Sequence, residues 1–174
     1  MKEKQNFWHS NMLAWLTFAA YLIVMALVTA LITVRLSPDK TLEQQAVQYL
    51  VAAIGSISGL IGTALGIVIL VAILFGVSRW LKQDMSFGEM FRIYMISRLP
   101  DVFCRLVLIV LIIFLLPAKS IYIGNILILL GEVGALLYFY RLNTAEEKLT
   151  PKANGILSSI LFLMIVLPVI SSLF

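Results

Sequence analysis

The feature that constrains this chain most is an apolar run from about Ala46 to Ser78. At 1.5 Å per residue a helix over that run is about 50 Å long, against a bilayer hydrocarbon core of about 30 Å. It must tilt, bend or project into water. Composition says the same of the whole chain. Hydrophobic residues make up 61 % of 174 and charged residues 13 %, where soluble domains hold roughly 45–50 % and about 25 %. So few charges cannot screen so much apolar surface from water, and lipid is the consistent solvent. At about 20 apolar residues per crossing, the content suffices for roughly five spans. Soluble enzymes, nucleic-acid modules and disulfide scaffolds are set aside. The net charge of +4 is then read by side of the membrane, not as an affinity for nucleic acid.

The reading is an all-α integral membrane bundle, one domain over residues 1–174, with spans at about 12–34, 46–78, 100–117, 121–142 and 154–174. The run from Met12 to Val34 exceeds a signal-peptide core and lacks a cleavage site, so it is a retained span. Phe7 and Trp8 precede it as interfacial anchors, in a tail of about 11 residues that ends in an Asn. A polar connection follows, Arg35 to Gln48. Between the second and third spans, Ser86 and Glu89 match a capping box. Phe87, Met90, Phe91, Tyr94 and Met95 then recur on one helical face. That stretch is too polar to span and predicts a short amphipathic helix over about 87–97, lying in the interface. Leu99 before Pro100 disfavours helix at Leu99 and separates the next span. Pro117 to Ser120 is a turn short enough to make spans three and four an antiparallel hairpin. Thr150 caps and Pro151 opens the last helix, which Pro168 kinks.

Basic residues set the orientation. With the N-terminus in the cytoplasm, Lys2, Lys4, Arg79, Lys82, Arg92, Arg98, Arg141, Lys148 and Lys152 are inside, Arg35, Lys40 and Lys119 are outside, and Arg105 lies in a span. The bias gives N-in and C-out.

Two ionisable residues fall well within the apolar runs, Arg105 and Glu132. An isolated charge at mid-bilayer costs at least ~2.5–3.5 kcal/mol. Counted from a hairpin tip near Lys119, the two stand at nearly equal depth. They make an ion pair or hydrogen-bonded contact that holds two helices in register, or a gate, proton site or polar ligand contact, or else Arg105 snorkels to the cytoplasmic surface. Asp101, one helical turn before Arg105, competes for its guanidinium. Asp101, Arg105 and Glu132 form the candidate polar cluster, and Gly131 and Gly134 let a neighbouring helix come close. A second candidate is the stripe Gly55, Gly59, Gly62 and Gly66, whose spacing puts all four on one side of the second span. It serves packing within the bundle, a dimer face or a pore lining. Either packing role predicts that Gly59→Leu harms assembly more than Ile69→Leu.

Catalytic chemistry is sparse. His9 is the single histidine and sits in the tail, whereas histidine-based metal sites and Ser-His dyads need one at a span or its mouth. Glu146-Glu147 has no histidines to complete a metalloprotease motif and reads as a solvated loop. Cys104 is the single cysteine and reads as a buried, inert thiol. There is no phosphate-cradling loop. No metal, cofactor or catalytic residue is expected.

The layout resembles the Yip family, the Ypt/Rab-interacting proteins and their bacterial relatives. The likeness rests on the five-span order, on the connector Gly76-Val-Ser-Arg-Trp-Leu-Lys-Gln-Asp-Met-Ser-Phe-Gly-Glu-Met-Phe-Arg-Ile-Tyr-Met-Ile-Ser-Arg-Leu-Pro100, and on Leu149-Thr-Pro-Lys-Ala153. Eukaryotic members carry a long cytosolic N-terminal region and an Asp-Leu-Tyr-Gly-Pro motif. Neither is present, so Rab binding is not carried over. The resemblance implies a non-enzymatic accessory or scaffold protein in a bacterial plasma membrane, associated with exporters or envelope stress. Its partners are then the lipid bilayer and another membrane protein or a second copy of itself. The alternative is a small transporter or channel with its polar site at Arg105 and Glu132.

Overall fold

The computed structural model describes residues 2–35, 42–114 and 121–171, and among these the chain is helical with no strand. In order the elements are α1 (Lys2–Arg35), α2 (Leu42–Trp80), α3 (Phe87–Ser97), α4 (Leu99–Phe114), α5 (Ile121–Ala145), α6 (Pro151–Leu161), a π turn (Phe162–Val166) and α7 (Leu167–Ser171). Stretches 11–34, 44–80, 123–145 and 151–170 are long and apolar enough to cross a membrane. The described part of α4, at 16 residues, is shorter than the roughly 20 of a typical crossing. The expected turn at Pro117–Ser120 lies outside the described residues.

Several boundaries move, each for a local reason. The segment expected to be a tail before Met12 is helical from Lys2, because Lys, Glu and Gln propagate a helix as readily as Leu does. The connection expected over Arg35 to Gln48 is cut short for the same reason: α2 begins at Leu42. Leu99 is helical after all, and the break falls on Arg98, at φ −77° and ψ −6°. Helix α5 runs on to Ala145, and the last helix starts at Pro151 under a Thr150 cap, as expected. Glu146 and Glu147 form the turn between them. Glu147 has φ 51°, a left-handed backbone that ends α5.

The core forms around α1 and α3. Ala14, Thr17, Tyr21, Val24 and Val28 are buried at steps of three and four, one inward stripe of α1. Helix α3 has its expected capping box, with Ser86 and Glu89 bonded reciprocally. Its buried set is wider than one face: Met90, Tyr94 and Met95 are joined by Ile93, Ile96 and Ser97. It packs against α1, α2, α4 and α5. Phe91 stacks with Trp15 at 5.1 Å and Phe18 at 5.8 Å between ring centroids, and Phe87 meets Phe75 at 5.9 Å.

Helix α2 divides in two. Its second half buries Ile67, Leu70, Val71, Leu74 and Ser78. Its first half leans on α1, where Gln48 Nε2 donates to the carbonyls of Thr33 and Val34 at 2.9 and 3.0 Å. The helix ends in a Schellman turn with Lys82 at φ 56° in the usual glycine position: Gln83 N–H reaches Ser78 O and Lys82 N–H reaches Arg79 O, both at 3.0 Å. Near the other end of the chain, the π turn stands just before Pro168. Proline cannot donate to the carbonyl four residues back, and its ring crowds it. A widened turn relieves that crowding.

Candidate functional site

The close approach of α4 and α5 builds the polar cluster. A Cβ added at Gly131 would lie 2.8 Å from Asp101 Oδ1, 2.9 Å from Asp101 Cα and 3.1 Å from Cys104 Cβ. One added at Gly134 would lie 3.0 Å from Pro100 Cβ, and one at Gly124 would lie 3.5 Å from Leu108. The pairs 100/134, 101/131 and 108/124 run in opposite directions, so the helices are antiparallel. Glycine on α5 admits the backbone of α4 itself. Cys104, expected to be buried, is partly exposed.

Asp101, Arg105 and Glu132 come together there, all buried. Arg105 Nε donates to both Asp101 oxygens at 2.9 and 3.0 Å, and its Nη2 donates to Glu132 Oε1 at 3.2 Å. Asp101 thus takes the Nε edge and Glu132 takes an Nη, so the two carboxylates share one guanidinium without conflict. The other Glu132 oxygen accepts from Arg98 Nη1. Arg98 is 4 % exposed. Its Nη2 donates to the Tyr94 hydroxyl at 2.7 Å, and its guanidinium lies 4.7 Å from the centroid of that ring. Tyr21 closes the cluster from α1, with its ring centroid 5.8 Å from the Arg105 guanidinium. Two cations and two anions balance here. That removes most of the cost of burying any of them, since a paired and hydrogen-bonded charge is the tolerated kind.

Arg98 is therefore not one of the free basic residues on the cytoplasmic side, as its place in a polar connector suggested. The available signal was helical spacing: Arg98 follows Tyr94 by four residues and precedes Asp101 by three.

A second set of contacts joins the α2–α3 connection to the α5–α6 connection. Arg92 pairs with Glu146, and Lys148 Nζ donates to Glu89 Oε1 at 2.8 Å. Thr150 N–H donates to Gln83 Oε1 at 3.0 Å. Glu146 is thus tethered, not merely solvated. Partial burial would raise the Glu89 pKa. The Lys148 ammonium and the Ser86 amide and hydroxyl outweigh it and hold the carboxyl down at about 2.

The glycine stripe behaves differently from the α5 glycines. Cβ atoms at Gly55, Gly59, Gly62 and Gly66 would meet nothing within 4 Å. Ile54, Ile57, Ile61 and Leu65 around them are exposed. The expectation that this stripe packs within the chain's own bundle is therefore corrected: among the described residues no helix covers it. The described residues also hold no group of three or more His, Cys, Asp or Glu able to ligate a metal.

Comparison with known proteins gives one match. The family model described as Yip1 domain covers residues 4–173. No curated protein matches the chain, and no solved structure matches it.

Proposed function

Because the chain belongs to the Yip1 domain family and is an integral membrane protein by its long apolar helices, we propose that it is a non-enzymatic scaffold or accessory protein. It acts through helix–helix contacts with another membrane protein, in association with an exporter or an envelope-stress system. On this reading residues 1–174 form one domain that crosses a bacterial plasma membrane five times, with the N-terminus cytoplasmic and the C-terminus external. The fifth crossing is α4, whose apolar run continues into Leu115-Leu116 and which packs along α5. In such a topology the α2–α3 and α5–α6 connections share the cytoplasmic side, and the Thr150–Gln83 hydrogen bond between them and the ion pairs from α3 to the α5–α6 connection support this. Removing Arg98 from the count leaves eight basic residues inside against three outside. Helix α3 lies at that face with its apolar side turned into the bundle.

The observation that carries the proposal is the open glycine face of α2. In lipid, small residues on one stripe let a second backbone approach, and van der Waals contact drives association. The alternative, a small transporter or channel around Arg105 and Glu132, needs a wet path. The cavity beside Arg98 and Glu132 is about 10 Å³, room for roughly one water molecule.

The test is co-purification in mild detergent at native expression level, followed by mass spectrometry. Wild-type protein brings down a membrane protein that the Gly59→Leu variant loses, while both unfold at the same temperature, because the introduced side chain points away from the rest of its own chain. Recovery of the chain alone from wild type, or equal recovery of the same protein from both, overturns the proposal.

A further inference from the structure

The cavity of about 10 Å³ is lined by Ser97, Arg98, Glu132 and Tyr94, and on its far side by residues of the π turn, Ile165 and Val166. The donors around it do not balance. Arg98 Nη1 and Nη2 each donate one N–H, to Glu132 and Tyr94, but the buried Arg98 Nε has no partner among the described residues. The Tyr94 hydroxyl accepts from Arg98, and its own proton has no acceptor among the described residues. Acceptor capacity is left over on the same wall. Glu132 has further lone pairs on each oxygen, and Ser97 Oγ, which donates to Tyr94 O at 2.7 Å, still has its own lone pairs to offer.

We propose that this cavity is a binding site for a single structural water molecule, which accepts from Arg98 Nε and the Tyr94 hydroxyl and donates to Glu132 and Ser97. The volume matches: a cavity needs about 10–15 Å³ and two to four polar partners to hold one water. Water's two lone pairs and two protons let it serve Arg98 Nε, the Tyr94 hydroxyl, Glu132 and Ser97 at once. The water completes the cluster, and the wider π turn supplies the room for it. A regular α-helical turn at the same place would carry Ile165 and Val166 in a different register against Arg98.

The test is proton-detected solid-state NMR of the full chain in lipid bilayers, with arginine labelled in ¹⁵N. Wild type gives a water cross-peak at Arg98 Nε–H. Val166→Ile adds one methylene, close to the ~30 Å³ of a water, and abolishes that cross-peak while the Arg98 signal stays in place. Ala135→Val, on the same cavity wall, is the second filling variant should the first not fold. Absence of the cross-peak in wild type overturns the proposal. So does a cross-peak that persists unchanged in a folded filling variant.

Discussion

Substituting alanine for Gly131 tests the α4–α5 contact directly. The new Cβ would stand 2.9 Å from Asp101 Cα and 3.1 Å from Cys104 Cβ. Ordinary carbon contacts lie at about 3.5–4.0 Å, so the helices must part by about half an ångström or more. Backbone cannot rotate away as a side-chain tip can. Overpacking of this kind costs about 1–3 kcal/mol, and three contacts near 3 Å place this case at the upper end. Gly59→Ala is the control. It makes the same chemical change in a helix interior but meets nothing within 4 Å, so the helix-propensity gain cancels between the two variants. The difference in unfolding free energy, Gly131→Ala against Gly59→Ala, is expected at about 2–3 kcal/mol. Steric trapping or reversible detergent unfolding in bicelles measures it. Equal stabilities within about 0.5 kcal/mol would refute the close approach of these helices.

Three further outcomes follow from the cluster and the tethered connections. Glu132→Ala strands Arg98 and leaves Arg105 with Asp101 alone, and is expected to cost about 3–5 kcal/mol in the same unfolding assay. Arg98→Leu is expected to cost about 3 kcal/mol by breaking a buried pair, whereas Lys82→Leu, in the turn that ends α2, stays within about 0.5 kcal/mol because both residues carry the same left-handed backbone cost. Glu89 has a folded pKa of about 2, below its ordinary 4.5. Its contribution is therefore present above pH 4.5 and lost as pH falls through 2. The protection factors of the Ser86 and Glu89 amides, measured by hydrogen exchange against the intrinsic rate at each pH, should fall over that window in wild type and show no such step in Glu89→Gln.

What could be read from the sequence follows the range of the forces involved. Hydropathy and caps act over a few residues, so the apolar helices, the Ser86–Glu89 box and the Thr150–Pro151 start all appear as the local pattern dictates. Helical spacing and hairpin depth also brought Arg105, Asp101 and Glu132 to one place. Arg98 was missed because charge in a connector normally means water, and only the tertiary fold shows Glu132 facing it. The two glycine sets look alike as spacings. What separates them is the neighbour: Asp101 lies against Gly131, while Gly59 faces open space, and periodicity carries no information on that. The helical start at Lys2 and the break at Arg98 differ from expectation by competition between weak local preferences.

The order in which the cluster's members leave the ribosome bears on how the chain enters its membrane. Arg98 and Arg105 emerge before Glu132, with only Asp101 between them to offset two cations. Helix α4 carries its own Asp101–Arg105 pair, so the cation left unmatched at that stage is Arg98, just ahead of it, and insertion scales penalise an unpaired Arg within hydrocarbon by at least ~2.5–3.5 kcal/mol. Arg98 can be buried only once α5 brings Glu132, so the cluster closes after α5 has been synthesised.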